Sequence, residues 1–182
     1  MYTSSFSALV LISLIGSSTA FNINFINKCT YTVWPAIGDA PNGQPNESIR
    51  FGDRLNPGQS VSHGIDDHAV GVRGWGRTGC DSNGANCKTG ACNGGLVCTD
   101  AGITSHALLS EYGYGSNNRI YWDLSFVGGT VNIPAELQGP DGQSVTCKNT
   151  NCPTNQAFHT SGDYGAIRNS ALGGTYNHIF CP

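Results

Sequence analysis

Two acidic residues, Glu111 and Asp123, are the first candidates for chemistry, because each lies in a stretch where polar and apolar residues alternate. Glycoside hydrolysis uses a pair of carboxyl groups, about 5–5.5 Å apart in retaining enzymes and about 6.5–9.5 Å apart in inverting ones. Taken alone, two acids in β-like segments are more often ordinary solvent-facing residues. The pair predicts a sugar-directed site only if the fold brings the two carboxyl groups together.

Other motifs for catalysis or cofactor binding are weak. Residues 74–79 match G-x-G-x-x-G, but Cys80 and a further turn follow where a dinucleotide site needs a helix. No serine lies in a G-x-S-x-G motif, and no cysteine pair has the C-x-x-C spacing of a zinc site. The segment 66–68 (Asp-Asp-His) is more typical of a solvated turn than of a metal site. We expect neither a cofactor nor a metal.

The composition restricts the class of protein. Of 182 residues only 12% are charged, while 25 are Gly and 8 are Cys. A helical bundle would be rich in Ala, Glu, Lys and Leu, and a disordered chain would be less apolar than the 38% found here. Nine Lys and Arg residues, no basic run and a net charge of −3 argue against nucleic acid as a partner. We expect a compact, turn-rich, crosslinked all-β protein.

Alternating hydrophobicity predicts several short strands separated by turn signals such as Asn42-Gly43. In the clearest strand, 119–127, four large apolar residues share one face, so Asp123 must point to the opposite face. We therefore expect Asp123 on a surface rather than in the core. The four apolar residues are Ile120, Trp122, Leu124 and Phe126. Further strands are predicted at residues 21–25, 30–34, 68–75 and 176–180, and a β-like stretch at 108–112 contains Glu111.

Residues 1–20 predict a signal peptide. An apolar run from Phe6 to Gly16 is followed by Ser18 and Ala20, small residues at the positions that a signal peptidase reads. The run is shorter than the roughly 20 apolar residues of a membrane-spanning helix. We expect a secreted, extracellular protein with no membrane span, one domain over residues 21–182, and its eight cysteines in disulfides. A buried N-terminal strand or helix is the alternative for this segment.

Asn46-Glu47-Ser48 is the single acceptor sequence for N-linked glycosylation. It lies in a stretch rich in Pro, Asn and Gly, which is typical of an exposed loop. The sequence leaves open whether Asn46 carries a glycan.

Several motifs together resemble those of the thaumatin-like proteins (pathogenesis-related class five), most closely the small form of that family. They cover almost the whole chain after residue 20, and it is their combination that is specific. The motifs are Phe21-Asn22-Ile23, Asn27-Lys28-Cys29, Tyr31-Thr32-Val33-Trp34-Pro35, Trp75-Gly76-Arg77-Thr78-Gly79-Cys80, the cysteine spacing over 87–98, Tyr121-Trp122-Asp123-Leu124-Ser125, Cys152-Pro153 with Gln156-Ala157-Phe158, and Ile179-Phe180-Cys181-Pro182.

The resemblance implies a flattened, disulfide-stapled β-sandwich of about ten or eleven strands, without the second domain of larger members. It also implies a set of four disulfides. These are Cys29–Cys181, Cys80–Cys87, Cys92–Cys98 and Cys147–Cys152. Small members usually carry ten cysteines, and the two absent here are partners that align with Gly139 and Ser170, so no unpaired thiol is expected.

The functional feature of the family is an acidic cleft of one Arg and several carboxylates, linked to binding and sometimes slow hydrolysis of β-1,3-glucan. Arg73, Glu111 and Asp123 match three positions of this cleft. Gly128 stands where a second Asp is expected, and Asp163 is a poor match for the last one. The incomplete set favours binding over efficient hydrolysis.

We therefore expect a monomeric defence or cell-wall-associated protein, with an antifungal role, that binds β-1,3-glucan or another wall polysaccharide. In this interpretation Arg73, Glu111 and Asp123 contact the sugar, and Tyr112 or Tyr121 provides a stacking surface. One alternative is a weak endo-β-1,3-glucanase with Glu111 as acid and Asp123 as nucleophile or base. The other is an inhibitor of a microbial glycoside hydrolase such as a xylanase, a role known in small family members.

Overall fold

The computed structural model describes residues 20–182, so the predicted signal peptide lies outside the described residues apart from Ala20. Eleven strands form two sheets, and a short 3-10 turn, Pro41–Gly43, follows the second strand. The strands are β1 (Ala20–Asn27), β2 (Trp34–Asp39), β3 (Asn46–Gly52), β4 (Ser60–Asp66), β5 (Val72–Arg77), β6 (Leu109–Gly115), β7 (Arg119–Ser125), β8 (Ala135–Gln138), β9 (Ser144–Cys147), β10 (Arg168–Ala171) and β11 (Thr175–Phe180). Within residues 20–182, no helix is long and apolar enough to cross a membrane.

The two sheets enclose one hydrophobic core. The five-stranded sheet has the order β4-β1-β11-β8-β9, and the six-stranded sheet has the order β10-β7-β6-β5-β2-β3. Phe21 and Tyr176 of the first sheet and Trp122 of the second are all wholly buried in this core. The first and last strands, β1 and β11, run parallel, whereas the other strand pairs are antiparallel. The predicted all-β sandwich is confirmed.

Two of the predicted strands have the wrong bounds. Residues 30–34 do not form a strand that Pro35 ends, because β2 begins at Trp34 and contains Pro35 as its second residue, just before the pairing with β3 starts at Ala36. The strand predicted at 68–75 begins only at Val72, because Gly71 has a left-handed φ of 68° that interrupts extended backbone. Asn46 is the exposed first residue of the edge strand β3 rather than part of a loop.

The long connection between β5 and β6, residues 78–108, consists of turns and isolated bridges. Arg77, which is wholly buried, organises it. Its guanidinium donates hydrogen bonds to one carbonyl of β2 and three of the connection. The acceptors are the carbonyl oxygens of Trp34 (3.0 Å), Gly84 (3.0 Å), Gly95 (2.8 Å) and Leu96 (2.7 Å). Burial lowers the pKa of Arg77 to about 10, so the group stays charged at neutral pH.

Four disulfides link the chain, and they are the pairs that the resemblance implies. They are Cys29–Cys181, Cys80–Cys87, Cys92–Cys98 and Cys147–Cys152, and residues 20–182 contain no free cysteine. Cys29 and Cys181 are 152 residues apart and join the chain beyond the ends of β1 and β11. A loop of that length corresponds to roughly 5 kcal/mol in the chain-entropy model of disulfide stabilisation.

A hydrogen-bond relay that runs from the core to the surface occupies the place of the disulfide that is missing. The Trp122 indole N–H donates to Ser170 Oγ at 2.9 Å, and Ser170 Oγ donates to Asp141 Oδ2 at 2.9 Å. A Cβ on Gly139 would lie 2.5 Å from the Trp122 ring, so glycine is required for the indole to fit. The relay links β7, β10 and the turn after β8 without a covalent bond.

His178 of β11 is a wholly buried histidine in the core. Its ring packs against Phe25 and Phe180, with centroids 5.3 and 4.5 Å apart. Ser110 Oγ donates to the Gly74 carbonyl and therefore accepts a hydrogen bond from His178 Nδ1 at 2.8 Å. Nε2 has no partner among residues 20–182. Burial lowers the pKa of His178 to about 3, so the ring is neutral.

We expect this histidine to make the protein sensitive to acid. Between pH 6.5 and about 3 the unfolded chain binds a proton at His178 that the folded chain excludes, so the free energy of unfolding falls as the pH falls. The loss from this group reaches about 3 kcal/mol at pH 4. His178→Gln should lack that part of the loss when urea unfolding is measured at pH 7 and pH 4. The exposed His68 provides the control, since His68→Gln should keep the wild-type dependence. If the free energy of unfolding of His178→Gln fell between pH 7 and pH 4 as much as that of wild type, His178 would not be the source of the acid sensitivity.

Candidate functional site

Arg73, Glu111 and Asp123 lie side by side on the outer face of the six-stranded sheet. Arg73 of β5 is paired with Glu111 of β6, and Glu111 is paired with Asp123 of β7. Their neighbours along the strands point into the core, as Val72 and Trp122 do. The structure therefore brings together the three residues that the resemblance singled out.

A cleft of about 480 Å³ lies over this part of the sheet. Its floor contains Arg73 and Glu111, with Leu109 and Ser125 beside them. Its walls come from the 78–108 connection, from the turn after β7 and from the segment after β9. The wall residues that offer contacts to a ligand are Ile103, Ser105, His106, Gly128, Phe158 and Ser161.

The wall from the 78–108 connection rests on Trp75, whose indole N–H donates to the Gly90 carbonyl at 3.0 Å. A Cβ on Gly102 would lie 2.9 Å from the Trp75 ring, and Gly102 has a φ of 72°. Both features require glycine at this position. The close approach of Gly102 places the adjacent Ile103 and Ser105 at the cleft.

Arg73 and Glu111 form an ion pair in the floor of the cleft. Arg73 Nε lies 3.3 Å from Glu111 Oε1, and both side chains are half-buried. An ion pair of this exposure adds little to stability, about 0–1 kcal/mol. Its main effect is to orient the Glu111 carboxylate as a hydrogen-bond acceptor facing the cleft.

Asp123 does not line the cleft. It points to the outer face, as alternation along β7 predicts, but its Oδ1 is inaccessible and has no hydrogen-bond partner among residues 20–182. Burial raises its pKa well above the usual value, and the Glu111 carboxylate raises it further. Asp123 is therefore outside the core but only partly exposed, because alternation determines the face of a side chain but not its depth.

Neither tyrosine expected to stack on sugar lies in the cleft. Tyr112 is only 3% exposed and packs in the core against Phe21 and Tyr176, with ring centroids 5.7 and 5.4 Å away, so its expected role is wrong. Tyr121 lies on the outer face, where its ring covers Gly115 and its hydroxyl is 3.0 Å from Ser116 Oγ. The aromatic residue that does line the cleft is Phe158.

The sequence did not predict the residues that form the walls of the cleft. His106 Nδ1 donates to the Gly128 carbonyl at 3.0 Å, so a peptide group bound to histidine stands where a carboxylate was expected. Phe158 is placed by a bridge to Ser125 at the end of β7. Asp163 accepts hydrogen bonds from the backbone N–H groups of Thr160 and His159 and does not line the cleft. These residues lie in irregular segments, where no periodicity indicates their position.

Among the side chains of residues 20–182, no group of three or more His, Cys, Asp and Glu could hold a metal ion.

A disulfide-linked sandwich of two sheets, with one Arg and carboxylates side by side on its larger sheet, defines a thaumatin-like protein. The model of the Thaumatin family matches residues 27–181, and the chain belongs to this family. It is 31% identical to a thaumatin-like protein of Oryza sativa subsp. japonica, over 97% of this chain and 96% of that protein. It is 33% identical to thaumatin-like pathogenesis-related protein 2 of Avena sativa, over the full length of both.

A solved structure provides a further comparison. The thaumatin-like xylanase inhibitor TLXI superposes with a TM-score of 0.63 and 25% identity, over 88% of this chain and 99% of the inhibitor. The short chain fits the single-domain form of the family.

The environment of Asp123 predicts a gain in stability on substitution. A carboxyl group whose pKa is raised by folding stabilises the protein below pH 3.8, and that stabilisation is lost as the pH rises through the raised value. Asp123→Asn should therefore raise the melting temperature at pH 7, by about 2–4 °C for each 1 kcal/mol recovered, and have little effect at pH 3.

Asp163→Asn is the matched control, and we expect it to change the melting temperature in the opposite direction. Hydrogen bonds from the backbone of Thr160 and His159 lower the pKa of Asp163, so its ionised form stabilises the fold at neutral pH. That substitution should lower the melting temperature at pH 7. If the melting temperature of Asp123→Asn also fell at pH 7, folding would stabilise the Asp123 carboxylate rather than destabilise it.

Proposed function

We propose that this protein is secreted and binds β-1,3-glucan of a cell wall in the cleft over β5, β6 and β7, without efficient hydrolysis. The observation that carries the proposal is the division of roles between the two carboxyl groups. Glu111 faces the cleft and is oriented by Arg73, whereas Asp123 does not line the cleft and has its Oδ1 covered.

The cleft offers what a neutral polysaccharide requires. A sugar ring presents hydroxyl groups at its edge and C–H groups on its faces. Glu111 can accept hydrogen bonds from two neighbouring hydroxyls, and Arg73 can donate to others. Phe158 provides an apolar surface in the cleft, and the 72% exposed Tyr164 lies next to it, with ring centroids 6.3 Å apart.

The same geometry argues against glycoside hydrolysis. Directly opposed residues on neighbouring strands have Cβ atoms about 4.5–5.5 Å apart, and Glu111 and Asp123 project from one floor. A sugar in the cleft would lie on the same side of both groups, whereas the two catalytic carboxyls of a glycosidase flank the scissile bond. Asp123 does not line the cleft, and its Oδ1 is covered, so it is not placed to attack an anomeric carbon of a sugar bound there.

The family supports the proposed compartment and role. Four disulfides are typical of proteins that fold in an oxidising environment outside the cytosol. The Avena relative is named as a pathogenesis-related protein. Binding of wall glucan by a secreted protein of this kind supports an antifungal defence role.

The test is retention on insoluble β-1,3-glucan compared with cellulose, chitin and xylan. Wild type should be retained on the glucan, and Glu111→Gln should weaken retention roughly 10-fold, since a hydrogen bond to a charged group contributes about 1.5–3 kcal/mol. Phe158→Ala should weaken it through loss of apolar contact. Glu136→Gln in β8 of the other sheet is the matched control and should bind like wild type.

Assay of reducing sugar released from soluble β-1,3-glucan tests the absence of catalysis. Wild type should release little or none. Strong release that Glu111→Gln abolishes would replace binding by endo-β-1,3-glucanase activity. Equal retention of wild type and Glu111→Gln would show that the cleft is not the binding site.

A second candidate function is inhibition of a microbial glycoside hydrolase. The similarity to TLXI favours it, and so do two exposed apolar side chains, Ile103 and Val127, that line the cleft, each 45% exposed. Exposed apolar residues beside a polar cleft suit a protein partner.

We expect an inhibitory protein to lower the activity of a xylanase on mixing, with Ile103→Ser and Val127→Ser weakening the effect. A panel of fungal and bacterial xylanases measures this directly. Undiminished activity across the panel would exclude this role for those enzymes.

A further inference from the structure

A second groove, of about 430 Å³, shares no lining residue with the cleft. It lies near Thr78, just beyond the end of β5, whereas Arg73 lies near the start of that strand. Five residues of extended chain separate the two by about 17 Å. We propose that this groove binds an acidic sugar, a uronic acid unit within a polysaccharide. The proposal is independent of glucan binding at the cleft.

Two aromatic side chains supply the apolar part of the groove. Tyr31 is 43% exposed, and its hydroxyl lies 3.6 Å from Cys181 Sγ, beside the disulfide that joins Cys29 and Cys181. Trp34 lines the groove from β2. Aromatic walls with a few polar groups are typical of small-molecule sites, and the volume lies in the range of such sites. A pyranose ring can place its C–H groups against these side chains.

The charge of the groove is positive, although the chain has a net charge of −3. Lys88 lines it, and none of its lining residues is acidic. The Arg54 guanidinium lies 5.7 Å from the centroid of the Trp34 ring. Neither Lys88 nor Arg54 belongs to an ion pair within residues 20–182. A ligand carboxylate would therefore meet Lys88, which has no carboxylate partner in the described part of the protein, and Arg54 adds positive charge beside the Trp34 wall of the groove.

The groove is held in shape by backbone contacts. The Lys88 N–H donates to the Thr78 carbonyl at 2.8 Å, and the Cys80–Cys87 disulfide closes the turn between them. A Cβ on Gly79 would lie 2.7 Å from Lys88 Cδ, so the lysine stem lies against the Gly79 backbone. Lys88 is thus positioned before a ligand binds, which lowers the entropic cost of binding.

Hydroxyl groups complete the match to an acidic sugar. Thr32 Oγ1 donates to Asn56 Oδ1 at 3.2 Å and keeps its acceptor capacity, and Thr78 Oγ1 lies 2.8 Å from a second threonine hydroxyl. A neutral sugar would leave Lys88 without a role, and an inorganic anion would leave the aromatic walls without one. A uronate uses the cation, the aromatic walls and the hydroxyl groups.

The experiment is titration of the whole protein with a short oligogalacturonate, with binding detected by calorimetry or by changes in NMR chemical shifts. Binding should weaken when the salt concentration rises from about 25 mM to about 300 mM, because the contacts are charged and exposed. Lys88→Met keeps the stem and removes the charge, and it should weaken binding at least 10-fold. Tyr31→Ala should also weaken it.

Two matched controls isolate the groove. Lys148→Met removes a cation from the turn after β9, and Glu111→Gln alters the cleft, so both should bind the oligogalacturonate like wild type. The fully methyl-esterified oligomer should bind at least 10-fold more weakly. Equal affinity for the esterified oligomer, wild-type affinity in Lys88→Met, or absence of binding by wild type would each overturn the proposal. Far-ultraviolet circular dichroism establishes that each variant is folded.

Discussion

The buried positive charge of Arg77 is the constraint on which the outer face of the larger sheet depends. No carboxylate within residues 20–182 forms an ion pair with it, so carbonyl groups must satisfy its donors. Three of the four carbonyls belong to the connection between β5 and β6. An unsatisfied buried charge is far more costly than an unsatisfied amide, so this connection has one favourable path across the sheet. The two short disulfides within it reinforce that path.

Both grooves follow from the course of this connection. At one end it passes over Trp75, and Gly102 and its neighbours become a wall of the cleft above Arg73 and Glu111. At the other end it turns back through Cys80 and Cys87, so that Lys88 comes to lie beside Gly79. One buried cation thus determines the shape of two surfaces, and neither surface requires a helix or a second domain.

The sequence predicted the sheet floor better than the cleft built on it. Alternation along β7 places Trp122 inward and Asp123 outward, and the family motifs predict Arg73 and Glu111 beside it. Alternation also places Tyr112 on the opposite face of β6 from its neighbour Glu111. The prediction that Tyr112 stacks on a sugar beside Glu111 did not take this into account. The depth of Asp123 could not be predicted, because it depends on residues distant in sequence. The walls could not be predicted either, because hydrogen bonds and bridges rather than periodicity position them.

The loss of one disulfide shows how the fold compensates locally. A disulfide between positions 139 and 170 would link the turn after β8 to β10 covalently. It would stabilise the fold mainly by lowering the conformational entropy of the unfolded chain. The relay from Trp122 through Ser170 to Asp141 links the same elements only in the folded state. Its Trp122–Ser170 hydrogen bond is buried and its Ser170–Asp141 bond is partly buried, and removal of the central hydroxyl would leave both neighbours without this partner. Gly139 is part of the same solution, because a cysteine there would displace the indole that donates the first hydrogen bond. The relay and the disulfide are therefore mutually exclusive, and Trp122 would have to move if the two cysteines were introduced.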